Sequence, residues 1–161
     1  MEKINLIATA AFGLEACVKR EVLKLGFENV RTYDGRVEFT GNEADIVKAN
    51  LWLRFASKVL IKIGEFKATT FDGLFEGVKA LDWGKWITED GKFTVTGKSV
   101  KSALFSVSDC QAITKKAVVE KLKQKYKVSW FDETGPEYTI QVALLNDIAT
   151  LTIDTSGGSL H

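Results

Sequence analysis

The chain has few of the residues on which metal and nucleophile chemistry depend. Its 161 residues include two cysteines, Cys17 and Cys110, and one histidine, His161, which is the last residue. The cysteines stand far apart and form no CxxC pair, so neither a zinc site nor a disulfide scaffold is indicated. A nucleophile triad would lack its base, because His161 is the only imidazole. The sequence therefore predicts no catalytic residue and no metal site, and it favours a binding module.

Membrane and cofactor signals are missing as well. No apolar run approaches the ~18 residues that a membrane span requires, and the N-terminus lacks the long apolar region of a signal peptide. No GxGxxG or GxxxxGK[ST] loop follows a predicted strand, so no cofactor-binding residue is predicted in this chain. Two isolated cysteines are typical of a reducing compartment, and a cytoplasmic location is expected.

Positive charge, in contrast, is concentrated in one part of the chain. Between Lys92 and Lys127 stand nine lysines and two acids, Asp109 and Glu120, which gives a local charge of +7. The other 125 residues sum to −6, so the net charge of +1 conceals this segregation. Such a distribution indicates a surface that binds a polyanion. Two alternatives stay open: a solvated lysine helix, and a basic face for an acidic protein partner.

Apolar periodicity predicts an α+β fold of two units. In the first, a strand at 4–8 precedes a helix at 13–25, and two strands at 30–33 and 36–39 flank Asp34-Gly35, a strong hairpin signal. Asn42 is expected to cap a second helix, and a strand at 59–63 follows. The order βαββαβ is that of a ferredoxin-like domain, predicted over residues 1–65.

The second unit is predicted over residues 66–156. Thr70 is expected to cap a helix, and a strand at 93–96 leads into a loop that runs from Gly97 to Ser102. A capping box of Ser108 and Gln111 predicts a helix to Tyr126 that buries Cys110, Ile113, Ala117, Val118 and Leu122. Two final strands are expected on either side of Asn146-Asp147.

A phosphate-binding corner is predicted where this loop meets the start of the helix. Lysine ammonium groups neutralise phosphates, and serine hydroxyls can donate hydrogen bonds to phosphate oxygens. The loop has no helical face that would require lysine or serine. The amphipathic helix, in contrast, is expected to place lysines on its outer side in any case. The predicted RNA-binding residues are Lys98, Ser99, Lys101, Ser102, Lys115, Lys116 and Lys123.

Several segments resemble the N-terminal region of bacterial large-subunit ribosomal RNA guanine methyltransferases. The similarity covers essentially the whole chain, and its most specific part is the Lys-Ser loop together with the Ser-Asp-Cys-Gln helix start. The matching segments are Gly13-Leu14-Glu15, Gly35-Arg36-Val37-Glu38-Phe39, Asn50-Leu51-Trp52-Leu53-Arg54, Phe71-Asp72-Gly73-Leu74-Phe75, Gly97-Lys98-Ser99, Ser106-Val107-Ser108-Asp109-Cys110-Gln111, Lys115-Lys116-Ala117 and Leu151-Thr152-Ile153-Asp154-Thr155-Ser156-Gly157.

The resemblance implies a ferredoxin-like domain followed by a THUMP domain, an RNA-binding fold. In that family a methyltransferase domain follows, which uses S-adenosylmethionine to methylate the exocyclic amine of a guanine. Residues 157–161 are then expected to begin the linker to that domain, which is absent from this chain together with its cofactor site. The implied partners are structured RNA, in particular large-subunit rRNA, and the methyltransferase domain in cis. THUMP-like domains also serve tRNA-modifying enzymes and non-catalytic adaptors, and these interpretations stay open.

Overall fold

The computed structural model describes residues 3–88, 91–126 and 137–155. These residues form two compact units, with the division between Lys62 and Ile63. The last described residues, Asp154 and Thr155, belong to the first unit. The linker predicted at 157–161 and the outermost lysine of the charged segment, Lys127, lie outside the described residues.

The first unit has the βαββαβ order that the sequence predicts. Its elements are β1 (Ile4–Ala10), α1 (Glu15–Lys24), β2 (Glu28–Tyr33), β3 (Arg36–Gly41), α2 (Glu43–Trp52) and the first part of β4 (Ala56–Lys67). The strands lie in the order β2-β3-β1-β4, and every neighbouring pair is antiparallel. Leu6 of β1 pairs with Phe39 on one side and Ile61 on the other, and all three side chains are buried.

Turn glycines and a helix cap mark the ends of these elements where the sequence predicts them. Gly26 follows α1 with φ 87°, and Gly35 turns the hairpin with φ 77°, a region that glycine enters without steric cost. Asn42 accepts a hydrogen bond from the Asp45 N–H at 3.1 Å, and the Asp45 carboxylate accepts one from the Asn42 N–H at 2.8 Å. This reciprocal capping box satisfies two amides at the start of α2.

Thr155 attaches the C-terminal described residues to the first unit. Its N–H donates to the Val59 carbonyl at 3.1 Å, and its hydroxyl donates to the same oxygen at 2.7 Å. The Asn50 amide donates to the Thr155 hydroxyl at 2.9 Å. The side chain of Thr155 is fully buried, so these three bonds satisfy a polar group that would otherwise be costly to bury.

The second unit contains the last part of β4 and six further elements. These are α3 (Phe71–Lys79), a 3-10 turn (Trp83–Lys85), β5 (Lys92–Val100), α4 (Val107–Tyr126), β6 (Glu137–Leu145) and β7 (Ile148–Asp154). Strand β5 runs parallel to β6, and β6 runs antiparallel to β7, so that β5 ends the order β7-β6-β5. A parallel neighbour requires a long crossover, which α4 provides.

Two boundaries differ from the sequence prediction. β5 continues through Gly97, Lys98 and Ser99 to Val100, because those residues pair with Val142–Leu145 of β6. The helix begins at Val107, one residue before the predicted Ser108 cap. Within α4 the buried residues are Cys110, Thr114, Ala117, Val118 and Leu122, so Thr114 takes the inner place that was predicted for Ile113.

Trp83 anchors the core of the second unit. Its indole is fully buried, and Nε1–H donates to the Val78 carbonyl at 2.8 Å. We expect Trp83→Ala to lower the free energy of unfolding by about 3–5 kcal/mol, since it removes a large buried side chain and leaves a cavity. Trp52, which is 56% exposed, is the matched control, and Trp52→Ala should cost less than about 1 kcal/mol. Urea unfolding followed by circular dichroism measures both, and equal losses would contradict this assignment.

Candidate nucleic-acid interface

The end of β5 and the loop that follows it form the corner in which the sequence places the phosphate contacts. Gly97 faces α4: a Cβ added there would lie 3.1 Å from Cγ of Gln111 and 3.3 Å from Cγ1 of Val107. The first turns of α4 therefore pack closely on the strand. Because successive side chains of a strand point to opposite faces, Lys98 lies on the face of the sheet away from α4, where it is exposed.

Hydrogen bonds from the β6–β7 turn hold the loop between β5 and α4. The Asp147 carboxylate accepts from the Ala103 N–H at 2.8 Å, and the Asp147 N–H donates to the Ser102 hydroxyl at 3.0 Å. The Asn146 N–H donates to the Val100 carbonyl at 3.2 Å. We call this arrangement, formed by Val100, Ser102, Ala103, Asn146 and Asp147, the braced corner.

Backbone conformations of high energy are concentrated in the same place. Lys101 has φ 50°, Asn146 has φ 50° and Asp147 has φ 67°. Only one other non-glycine residue of the described part, Asn29, has a positive φ. Asn and Asp tolerate this region better than other residues, whereas a lysine there must be held by its surroundings. The hydrogen bonds of the braced corner supply that restraint.

The two predicted serines are used inside the protein. Ser99 Oγ donates to the Leu104 carbonyl at 2.7 Å, and Ser102 Oγ donates to the Val100 carbonyl at 3.0 Å. A phosphate oxygen requires a donor, and each hydroxyl has a single proton, which is already given to a carbonyl. The structure thus places Ser99 and Ser102 in the bracing of the loop, in place of the direct RNA contact that the sequence predicted.

Four of the five predicted lysines form two groups, and Lys115 lies apart from both. Lys98 and Lys101 are exposed at the braced corner. Lys116 is exposed and Lys123 half-exposed on the side of α4 opposite its buried residues, since about 100° per residue brings these two into line. Lys115 is exposed on the flank of α4, where its Nζ lies 5.7 Å from the centroid of the Phe93 ring. The structure does not bring all five into one cluster.

The five predicted lysines have no acidic partner among the residues that the structure describes. None of the five forms a salt bridge with any residue of 3–88, 91–126 or 137–155. The acid closest to the corner, Asp147, uses a carboxylate oxygen for the Ala103 N–H. An unpaired surface ammonium group keeps its attraction for an approaching anion. Both lysine groups can therefore contact phosphates without first breaking an ion pair.

The loop between β5 and α4 contains Phe105, whose side chain is 82% exposed. The sequence did not predict this residue as part of the site. Its neighbour Leu104 is buried, and Ser106 accepts the first helical hydrogen bond of α4 from the Cys110 N–H. The only signal in the sequence is an aromatic residue between a predicted strand and a predicted helix, which is too common to indicate function.

A cleft in the first unit is less suited to an anion. It measures about 220 Å³ and is lined by Lys3, Phe27, Glu28, Asn42 and Lys48, among others. Its two cations are already engaged, since Lys3 pairs with Glu28 at 2.8 Å and Lys48 Nζ donates to the Leu25 carbonyl at 2.8 Å. The Lys3 ammonium also lowers the pKa of Glu28, through their hydrogen bond and then through their charges. This cleft is therefore not the candidate interface.

Two further structural findings concern metals and membranes. Within the described ranges, no three or more His, Cys, Asp or Glu residues are grouped so that they could hold a metal ion. The helices of the described part include none with the length and apolar character of a membrane span.

Cys110 is buried on α4, and burial, followed by the nearby Asp109 charge, raises the pKa of its thiol. A raised pKa disfavours the reactive thiolate.

Comparison with known proteins assigns both units. Residues 5–60 match the RlmL ferredoxin-like domain, and residues 68–154 match the THUMP domain. These matches confirm the α+β fold class and the order of domains that the sequence predicted.

Relatives of known sequence and structure extend over the whole chain. A curated protein of Bacillus subtilis (strain 168), named "Putative RNA methyltransferase YpsC", is 52% identical over 163 residues, which cover 100% of this chain and 42% of the relative. The crystal structure of a "predicted N6-adenine-specific DNA methylase" from Listeria monocytogenes str. 4b F2365 has a TM-score of 0.92 at 50% identity, over 96% of this chain and 40% of that one. SMU.472, described as "a putative methyltransferase complexed with SAH", gives a TM-score of 0.91 at 45% identity, over 96% and 42% of the two chains.

The chain spans about two fifths of the length of these relatives. Their names share methyl transfer but differ in the nucleic acid, since one names RNA and another names DNA. The match to the THUMP domain covers more than half of the residues. The chain therefore belongs to the THUMP domain family, and an RlmL-type ferredoxin-like domain precedes its THUMP domain.

Proposed function

We propose that this chain binds RNA and positions it for a methyltransferase domain, as part of an S-adenosylmethionine-dependent enzyme that modifies a guanine N2 of large-subunit rRNA. Membership of the THUMP family and the relative named as an RNA methyltransferase support this role. The bound SAH of SMU.472 supports the cofactor. Methyl transfer itself would occur in a further domain, because the chain spans only about two fifths of the length of relatives named as methyltransferases.

The observation that carries the proposal is the pair of lysines at the braced corner. Lys98 and Lys101 are exposed and have no described acid partner, and the loop beside them is held by side-chain hydrogen bonds. A fixed backbone loses little conformational entropy when a ligand binds, so the lysines act on a preorganised support. Contacts of this kind fix the orientation of a nucleic acid and carry no base identity.

The lysines on the outer side of α4 extend the contact. Lys116 and Lys123 are seven residues apart, which corresponds to about 10 Å along the helix axis. That length matches a nucleic-acid backbone better than a single phosphate. We infer that the corner fixes one point of the RNA and that the helix tracks its backbone from there.

DNA is the second candidate ligand, and the name of the Listeria monocytogenes relative favours it. Phosphate contacts alone do not separate RNA from DNA, since the 2′-hydroxyl makes the difference. Binding of matched RNA and DNA strands of one sequence therefore decides between the two. We expect the RNA to bind more tightly, and tighter binding of DNA would contradict the RNA proposal.

Electrostatic binding predicts a defined salt dependence. If about four phosphates are contacted, the logarithm of the association constant should fall with the logarithm of salt concentration at a slope of roughly −3. Filter binding or fluorescence anisotropy between about 50 and 200 mM salt measures this slope. A slope near zero would show that the lysines are not neutralising phosphates.

The corner lysines should account for about half of that slope. We expect Lys98→Ala combined with Lys101→Ala to make the slope less steep by about 1.5, and to weaken binding of all RNA sequences alike. Lys19→Ala combined with Lys24→Ala is the matched control, since it removes two exposed charges from α1 of the first unit. Equal effects of the two pairs would show a general charge effect and would contradict a site at the corner.

The internal role of Ser99 has a separate consequence. Ser99→Ala removes the donor to the Leu104 carbonyl and should lower the free energy of unfolding by about 1 kcal/mol, with no change in the salt slope. Ser108→Ala, at an exposed position of α4, should leave both quantities nearly unchanged. If Ser99→Ala instead weakened RNA binding without loss of stability, the hydroxyl would contact the RNA directly.

A further inference from the structure

Several large apolar side chains are exposed in the first unit. Phe12 is 92% exposed and Leu51 is 69% exposed, and the aromatic rings of Trp52 and Phe55 are exposed as well. Single exposed apolar residues are common on protein surfaces, whereas a contiguous group of them indicates a surface that another molecule covers. We call the group formed by Phe12, Leu51, Trp52 and Phe55 the apolar patch.

Strand pairing brings the patch residues to the same end of the first unit. Ala10 of β1 pairs with Ala56 of β4. Phe12 therefore follows the end of one strand, and Phe55 precedes the start of its neighbour. Helix α2 ends at Trp52, three residues before Phe55, so its last turn lies at this end too.

A carboxylate of α1 fixes the backbone between α2 and β4. The two oxygens of Glu21 accept from the Arg54 N–H and the Phe55 N–H, each at 2.9 Å. Hydrogen bonds to an ionised group are stronger than those between neutral groups. The Phe55 backbone is therefore held in place while its ring stays exposed.

The outer side of α2 is apolar, which is unusual for a helix at a protein surface. At about 100° per residue, Leu51 lies nearly opposite the buried Ile46 and Ala49, and Val47, one turn earlier, is exposed on the same side. The lysine of this helix, Lys48, donates to the carbonyl at the end of α1. Surface helices normally present charged residues outwards. The neighbouring α1 follows that rule with the exposed cations Lys19, Arg20 and Lys24.

The position of Thr155 indicates which molecule covers the patch. Thr155 is the last described residue, and it is hydrogen-bonded to Asn50 of α2 and to Val59 of β4. Both partners belong to the elements that carry Leu51, Trp52 and the start of β4. In the proposed function a methyltransferase domain follows Thr155, so that domain would be tethered beside the patch.

Tethering and charge both favour this domain over other occupants. Linkage makes docking intramolecular, at an effective concentration on the order of mM for a short flexible linker. A second copy of the chain has no such advantage. The patch is also poor in cations for a nucleic acid: Arg54, between Trp52 and Phe55, is exposed and forms no salt bridge with a described residue. A matching face would be apolar, with an acid opposite Arg54.

We propose that the apolar patch is the docking surface for the methyltransferase domain of the enzyme described under the proposed function, here called the parent enzyme. This inference rests on that function and adds the surface through which the catalytic domain is held. Docking limits the directions in which that domain can lie relative to this chain. A fixed geometry between a binding surface and a reacting group contributes to rate, since less freedom is lost at the reaction itself.

Accessibility of a cysteine placed in the patch tests the docking. Leu51→Cys is made in this chain and in the parent enzyme, and its reaction with N-ethylmaleimide is followed by mass spectrometry of the labelled peptide. If the patch is covered in about nine tenths of the parent molecules, labelling there should be about tenfold slower than in this chain, since only open molecules react. Leu23→Cys is the matched control. Leu23 is exposed at the end of α1 remote from Phe12, and its cysteine should react at the same rate in both proteins.

Charged substitutions in the patch should release the domain. In the parent enzyme with Leu51→Cys, Phe12→Glu combined with Trp52→Glu should return labelling to the rate of this chain, because docking would bury carboxylates against an apolar face. Leu23→Glu is the control and should leave Leu51→Cys protected. All of these side chains are exposed in this chain, so its fold should tolerate the changes, and circular dichroism checks this.

Other occupants give different results, and each would overturn the docking. Equal labelling of Leu51→Cys in both proteins would show that the patch stays free. Protection in this chain that rises with its concentration would indicate a second copy, and protection that requires added RNA would indicate a nucleic acid.

The proposed function and the docking fail separately. If the parent enzyme protects Leu51→Cys but binds RNA without salt dependence, the docking stands and the RNA-binding function fails. If RNA binding keeps its salt dependence while labelling is equal in the two proteins, only the docking is refuted.

Discussion

The hydrogen bonds between the β6–β7 turn and the loop after β5 are the constraint on which the candidate interface depends. Asp147 contributes both its backbone N–H and its carboxylate, and Ser102 both accepts and donates. These bonds hold Lys101 at a positive φ, and they fix the loop that leads to Phe105. Without them the corner would be a flexible lysine-containing loop, and binding would have to overcome the entropy of ordering it.

Much of the fold follows from local signals in the sequence. Asp34-Gly35 predicted the first hairpin because glycine enters the left-handed region at no steric cost, and Asn42 predicted the start of α2 because its side chain can cap the helix. The predicted hairpin across Asn146-Asp147 is also confirmed, and both residues have the positive φ that such a turn uses. In each case a residue and its immediate neighbours determine the structure.

The candidate site was harder to predict because its geometry depends on distant residues. Glycine, lysine and serine have low strand propensity, yet Gly97–Ser99 form a strand because β6 pairs with them. Once Lys98 lies in a strand, the alternation of side chains separates it from the outer lysines of α4. The use of the Ser102 hydroxyl could not be foreseen, since its partner Asp147 is 45 residues away. Charge segregation indicated the right unit, but it could not indicate which lysines share a surface.

The parallel pairing of β5 with β6 also has a kinetic consequence. Lys92 of β5 is aligned with Glu137 of β6, and all of α4 lies between these strands along the chain. Contacts between residues so distant in sequence form late, because the entropy of closing the intervening loop is lost before any bond rewards it. The hairpin of β6 and β7 has no such delay, because its turn joins residues that are neighbours in the sequence. We therefore expect the loop that carries Lys101 and Phe105 to take its final shape near the end of folding, once the turn at Asp147 has arrived beside it.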